Sequence, residues 1–324
     1  RGKGAKEYLY GHGEGRSLMT GQRPLATAHE TGKWLLLWLP DLPDDAYYMV
    51  NELKAEGYVH HLSIPVVLLN GMQNGFTFAT KQKTGFSTQD IALLRTVQPA
   101  LSALMEVLAL HRILREALRM YVGDEPHRRI LAGDVRRGEV LRIRAAIMFA
   151  DMRSYTKLTS SMALEHATAL VNQYYDCVVP SVETRAGEVL KFMGDGILAI
   201  FRAGQGEEAE ACWRAFAAAT AALDAVDGRN ATLKDEVPFE VGIALHFGEV
   251  AYGNVGSGAR LDYTVIGRDV NLGARIAGLC APLERRLLVS TAFKSHLQAT
   301  TFVSLGSHEL KGLPNEEEIF ASPN

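Results

Sequence analysis

Apolar positions in the first 85 residues fall in short runs broken by glycine and proline. Trp34 to Leu39, Ile64 to Leu69 and Phe76 to Thr80 predict three strands. Asp44 to Lys54 predicts a helix, and Asn70-Gly71 with Asn74-Gly75 supplies turn residues that tolerate positive φ between the last two strands. This half reads as α+β. Farther on, Ile91, Leu94, Val97, Leu101, Leu104 and Leu108 recur in steps of three and four, a helical stripe opened by the capping pattern Ser87-x-x-Asp90. Running to about Arg119, the helix would be on the order of 50 Å long, with Pro99 as the expected bend. The stripe has two readings, packing on its own domain or pairing with its copy as a dimer-forming connector. Gly123, Pro126, Gly133 and Gly138 among many charges predict a linker over 122–140.

From Arg142 onward the periodicity alternates between strands and long helices. Ala145 to Ala150 is a continuous apolar run, as a strand buried on both faces requires. Leu164, Ala167, Val171, Tyr174 and Val178 follow at helical spacing. Val189 to Phe192 and Ile197 to Phe201 flank Met193-Gly194-Asp195-Gly196, which predicts a hairpin. An alanine-rich helix with Ala209, Cys212, Trp213, Phe216, Ala219 and Leu223 on one face precedes a strand at Val241 to Leu245. Gly253-Asn-Val-Gly256-Ser-Gly258 lacks a following Lys and reads as a turn and not a phosphate loop.

Composition narrows the class. With 324 residues the chain has room for about two domains, and 47% hydrophobic with 22% charged residues is ordinary globular content. A net charge of −3 offers no basic excess for nucleic acid. Cys177, Cys212 and Cys280 are odd in number and far apart, so they predict buried thiols in a reducing cytoplasm and frame no zinc site. His246 inside a strand and the pair His60-His61 lack partners at ligand spacing. Uninterrupted apolar runs are far shorter than the ~20 residues of a bilayer span, which predicts no transmembrane segment. Arg1 stands where an initiating Met is expected, which predicts a natural start upstream.

Asp151 directly follows the first buried strand, and Asp195 sits at the tip of the hairpin expected beside it. Converging carboxylates are hard oxygen ligands suited to Mg²⁺ or Mn²⁺ and to phosphoryl displacement. The alternative for each is a turn-forming residue at a strand end. Asn271 and Arg275 are four apart, hence neighbours on one helix face, where the alternative for Arg275 is a solvated surface.

Three ordered motifs carry a resemblance: Phe149-Ala-Asp151-Met-Arg-Ser-Tyr155-Thr156, Leu190-Lys191-Phe-Met-Gly194-Asp195-Gly196, and Tyr263-Thr264-Val-Ile-Gly267-Arg-Asp-Val-Asn271-Leu-Gly-Ala-Arg275. With Val241 to Gly248 and the closing Glu309-Leu310-Lys311-Gly312, they make the chain from about Arg142 to Phe320 resemble the catalytic domain of class III nucleotidyl cyclases. The hairpin lacks the Gly-Gly-Asp/Glu-Glu-Phe of the related diguanylate cyclases. The fold implied is an α/β, ferredoxin-like palm, βαββαβ. The front half more loosely resembles the later part of a GAF-type sensor, through Ile64 to Gly71, Gly75 to Thr80 and Gly85 to Asp90. The division expected is a GAF-like domain at 1–104, a connecting helix and linker at 105–140, and a cyclase domain at 141–324.

The resemblance implies two Mg²⁺ or Mn²⁺ ions per site on Asp151 and Asp195, with the carbonyl of Met152 as a further candidate ligand. One ion would activate the ribose 3′-hydroxyl and the other would bind the triphosphate, so that the 3′-oxygen attacks the α-phosphorus in line and pyrophosphate leaves. Asn271 would orient the ribose, and Arg275 would stabilise charge developing on the α-phosphate. Lys311 is a candidate for the polyphosphate. Lys191 and Thr264 are the adenine-type pair, a donor near N1 and an acceptor for the 6-amino group, where guanine-selective relatives tend to carry Glu and Cys. Asp262 is the competing acceptor; spacing to Asn271 favours Thr264. The activity implied is adenylate cyclase acting on ATP in a homodimer with composite active sites, under an unidentified small-molecule or protein regulator of the N-terminal domain. The alternatives are guanylate cyclase and a silent nucleotide-binding subunit.

Overall fold

The computed structural model describes residues 23–233, 237–298 and 300–322, and it divides into two compact units, Arg1–Leu114 and Arg115–Asn324. Arg1 and the start of the expected sensor domain lie outside the described residues. The first unit holds helix α1 (Pro24–Thr31), β1 (Leu35–Trp38), α2 (Val50–Ala55), β2 (His60–Val67), β3 (Gln73–Thr80) and most of α3 (Thr88–Val122). Its strands form an antiparallel sheet in the order β1-β2-β3. Asn70-Gly71 makes the turn before β3, with Gly71 at φ +81°, whereas Asn74-Gly75 lies inside β3. Two helices depart from expectation. The α1 helix carries Pro at its start and a left-handed Gly32 at its end, punctuation that the strand reading passed over. The predicted helix at Asp44 to Lys54 forms only over α2, because the preceding segment turns back and Lys54 reaches the Leu42 carbonyl and Asp44.

The α3 helix opens on the expected cap. The Ser87 amide and hydroxyl both donate to the Asp90 carboxylate, and Asp90 N donates back to the Ser87 hydroxyl. It runs through Pro99 without interruption, and none of its residues is buried. By length and composition it is apolar enough to cross a membrane, so the expectation of no such segment does not hold on those grounds. Its apolar residues are distributed around the helix, a pattern that a search for unbroken runs misses.

In the second unit the expected linker contains a helix, α4 (Asp124–Ala132), closed by Gly133. Pro126 and His127 are buried, so tertiary packing orders a segment whose glycines and charges suggested a loop. The following elements are β4 (Val140–Met152), α5 (Tyr155–Thr159), α6 (Leu164–Glu183), β5 (Glu188–Met193), β6 (Gly196–Ala203), α7 (Glu208–Ala231), β7 (Val241–Gly256) and β8 (Leu261–Ile266). After them come α8 (Arg268–Ala277), β9 (Leu287–Ser290), α9 (Thr291–Lys294), β10 (Val303–His308) and β11 (Glu317–Ala321). The sheet order β5-β6-β4-β7-β9-β11-β10, with β8 also on β7, contains the ferredoxin-like βαββαβ core as β7-β4-β6-β5.

Strand alternation gives the β4 faces different tasks. Ala146, Met148, Ala150 and Met152 join a large apolar cluster with Tyr174 and Val178 of α6 and with Cys212 and Ala219 of α7. Ala145, Ile147 and Phe149 face the other way, with Leu198, Ile200 and Val250. The core stripe of α7 is Ala211, Cys212, Ala215, Ala218, Ala219 and Ala222, while Trp213, expected on it, is exposed. Small side chains let the helix lie close to the sheet, which leaves no room there for an indole.

Candidate active site

Asp151 is opposite Gly196 of β6 and Gly242 of β7, at the end of β4. Met193 pairs with Gly196, leaving Gly194-Asp195 as a two-residue turn in which Gly194 takes φ +72°. Glycine at the first central position accommodates the twist of such a hairpin. Met152 N donates to the Asp195 carbonyl at 2.9 Å, and the Tyr175 hydroxyl donates to the Gly194 carbonyl, so the turn is fastened to β4 and to α6. Tyr175 is a supporting residue that no sequence motif marked.

The Asp195 charge acts on Asp151. Although Asp151 is exposed at the strand end, partial desolvation of its carboxyl, and secondly repulsion from Asp195, push its pKa up to about 6. No Lys, Arg or His forms an ion pair with either group among the described residues, which contain no cluster of three metal-ligating side chains. An uncompensated carboxylate pair is a donor set that fits a hard divalent cation. Met152 buries its thioether in the core, so only its main-chain carbonyl is suited to join that set. Arg153 locks the chain beyond: its guanidinium donates to the carbonyls of Cys280 and Arg285 and pairs with Glu240.

Lys191 owes its aim to a bulge. The register shifts between Val189 and Lys191, which sets Lys191 opposite Leu198, a residue of the Phe149 face. Its ammonium forms an ion pair with Asp262 of β8. Thr264, two residues farther along β8, is only 4% exposed and its hydroxyl makes no hydrogen bond among the described residues. The structure thus joins Lys191 directly to the acceptor that the spacing had ranked second. Tyr263 between them stacks edge-on against Tyr252, and the Tyr252 hydroxyl donates to Glu188 Oε1 at 2.7 Å. Burial raises the Glu188 carboxyl above its ordinary range, with the tyrosine bond opposing that shift. Arg129 of α4 lies 5.8 Å over the Tyr263 ring, tying the unforeseen helix to the strand that bears Thr264.

Asn271 and Arg275 lie on one exposed face of α8, as their spacing predicts, and neither makes a side-chain bond among the described residues. Gly273 between them packs so closely on the Phe149 ring that a Cβ there would stand 3.2 Å from it. Residues two positions away lie about 200° around the helix. Asn271 and Arg275 therefore project away from the sheet that carries Asp151. Thr264 is across from Gly253, which pairs with Val140, eleven residues along β4 from Asp151 and about 36 Å of strand away. Lys311 is exposed in the turn between β10 and β11 and forms no hydrogen bond or ion pair with another site residue among the described residues; its neighbour Leu310 packs in the apolar cluster of Leu272 and Ile276.

A palm sheet with two aspartates at adjoining strand ends, and a helix bearing Asn and Arg, defines a class of nucleotide-processing domain. Residues 142–321 match the family model "Adenylate and Guanylate cyclase catalytic domain", and the chain belongs to that family. It is 34% identical over 173 residues to an uncharacterized protein of Mycobacterium tuberculosis, covering 51% of this chain and 31% of that protein. It is 31% identical over 165 residues to the adenylate cyclase of Anabaena cylindrica, covering 50% and 32% respectively. The chain thus spans about a third of the length of these relatives. A solved bacterial light-regulated adenylyl cyclase aligns with TM-score 0.60 at 26% identity, over 70% of this chain and 65% of that one.

Proposed function

We propose that this chain is an adenylate cyclase that converts ATP to 3′,5′-cyclic AMP and pyrophosphate. The observation that carries the adenine reading is the Lys191 ammonium held by Asp262, with the Thr264 hydroxyl two residues away. A cationic donor beside hydroxyl and carboxylate acceptors complements N1 and the 6-amino group of adenine. Asp151, Asp195 and the Met152 carbonyl would hold two Mg²⁺ or Mn²⁺ ions, which when bound supply Lewis-acid activation of the 3′-hydroxyl and charge neutralisation at the triphosphate. Asn271 orients the ribose, Arg275 stabilises the α-phosphate as charge develops, and Lys311 reaches the polyphosphate.

The outward aim of Asn271 and Arg275 supports a head-to-tail homodimer with two composite sites, the nucleotide residues of one protomer meeting the aspartates of the other. In this reading 1–104 is a sensor, GAF-like by sequence resemblance, 105–140 connects and 141–324 catalyses. The deciding experiment incubates the purified chain with ATP or GTP and Mn²⁺ and identifies the product. Cyclic AMP formed in clear excess is expected. Predominant cyclic GMP would make it a guanylate cyclase, and no product from either would make it a silent signalling subunit.

A further inference from the structure

The first unit contains a cavity of about 180 Å³ that no part of the cyclase chemistry uses. Ser63 of β2 lines it, fully buried, with a hydroxyl that has no hydrogen-bond partner. A buried hydroxyl left unpaired is costly, and so the wall is polarised toward something that can bond it. Thr77, directly opposite on β3, adds a second hydroxyl and is exposed, so the cavity reaches solvent on that side. The guanidinium of Arg23 also lines the cavity, lying 5.0 Å over the Tyr48 ring, and has no carboxylate partner among the described residues. Among the described residues no acidic side chain lines the walls, and His29 is already bonded through Nε2 to the Asn74 carbonyl. The remaining wall, from Pro24, Leu25, Ala26 and Met49, is apolar.

A cation unpaired among the described residues, two hydroxyls and an apolar wall select a small anion with a hydrocarbon body. At roughly 30 Å³ per heavy atom the space takes about six of them. A cyclic nucleotide, with roughly twenty, is too large. We propose that this cavity is a binding site for a short-chain organic carboxylate, its head on Arg23 and Ser63 and its body against Tyr48 and Met49. The site is independent of the cyclase reaction, and its test reads binding alone.

Butyrate, with six heavy atoms, is the probe, and butyramide is its uncharged counterpart. Ligand-observed NMR titration of the full chain should show saturable butyrate binding with a Kd of about 1 mM. Butyramide should bind about tenfold more weakly. Arg23→Gln should weaken butyrate about tenfold and leave butyramide unchanged. Arg23 makes no side-chain cap to α1, so this change removes no helix bond. Ser63→Ala, compared after near-UV circular dichroism verifies folding, should weaken both ligands severalfold. Equal affinity for the two ligands, unaltered butyrate binding in Arg23→Gln, or failure to saturate by about 50 mM would overturn the assignment.

Discussion

The carboxylate end of the catalytic sheet and the residues proposed to meet the nucleotide are built in opposite ways. Asp151 lies at the end of β4 and Asp195 in the β5–β6 turn, and they are linked by the Asp151–Gly196 pairing and by the bond from Met152 N to the Asp195 carbonyl. Lys191, Thr264, Asn271 and Arg275 come from β5, β8 and α8, and the last two are exposed with no side-chain hydrogen bond among the described residues. The first arrangement is fixed by main-chain pairing, and the second is not. The difference teaches that the like-charged pair is fixed by local hairpin geometry, while no hydrogen bond among the described residues fixes the side chains of Asn271 and Arg275.

The strongest way to break this contrast is to delete one carboxylate. Asp151→Ala or Asp195→Ala should lower cyclisation by ~10²-fold or more with the fold intact by circular dichroism, because each removes a charge at the reacting centre. Retention of a tenth of the activity would show that the pair is structural.

Next in size is complementation between the two ends. Asp195→Ala and Arg275→Ala homodimers should each be nearly inactive, whereas mixing them gives heterodimers with one intact site. Random exchange makes about half the dimers mixed, so bulk activity should recover to about a quarter of wild type. No recovery despite exchange followed by a separate label would place all the residues in one protomer's site.

A smaller effect separates the acceptors beside Lys191. Lys191→Glu with Thr264→Cys should lower the ATP/GTP ratio of kcat/KM by about tenfold or more, since mismatched buried groups each cost about 1–3 kcal/mol. Asp262→Asn should change that ratio less than the double change does. A larger shift from Asp262→Asn would make Asp262, and not Thr264, the residue that reads the base.

The smallest effect is on stability. Because the fold raises Asp151 from 3.8 to about 6, the stability associated with its protonated form is fully present below about pH 4 and is lost as pH rises through 6. Asp151→Asn should therefore stabilise the metal-free protein at pH 7. Partial exposure limits the gain to about 1 kcal/mol, a Tm rise of up to about 3 °C. The difference should vanish near pH 4; a Tm difference independent of pH would assign it to packing.

Local signals in the sequence determined much of this protein. The apolar run at Ala145 to Ala150, the Gly-Asp turn and the four-residue interval from Asn271 to Arg275 each encode geometry over a few residues, so the palm and its carboxylate pair were legible. Tertiary structure decided what depends on distant neighbours. The bulge at β5 swings Lys191 to Asp262, packing turns the glycine-rich 122–140 segment into α4, and β7 carries Tyr252 to Glu188. Periodicity reports which face of an element is apolar, but the partner of a polar side chain is set by the strand that pairing places beside it, tens of residues away in the chain.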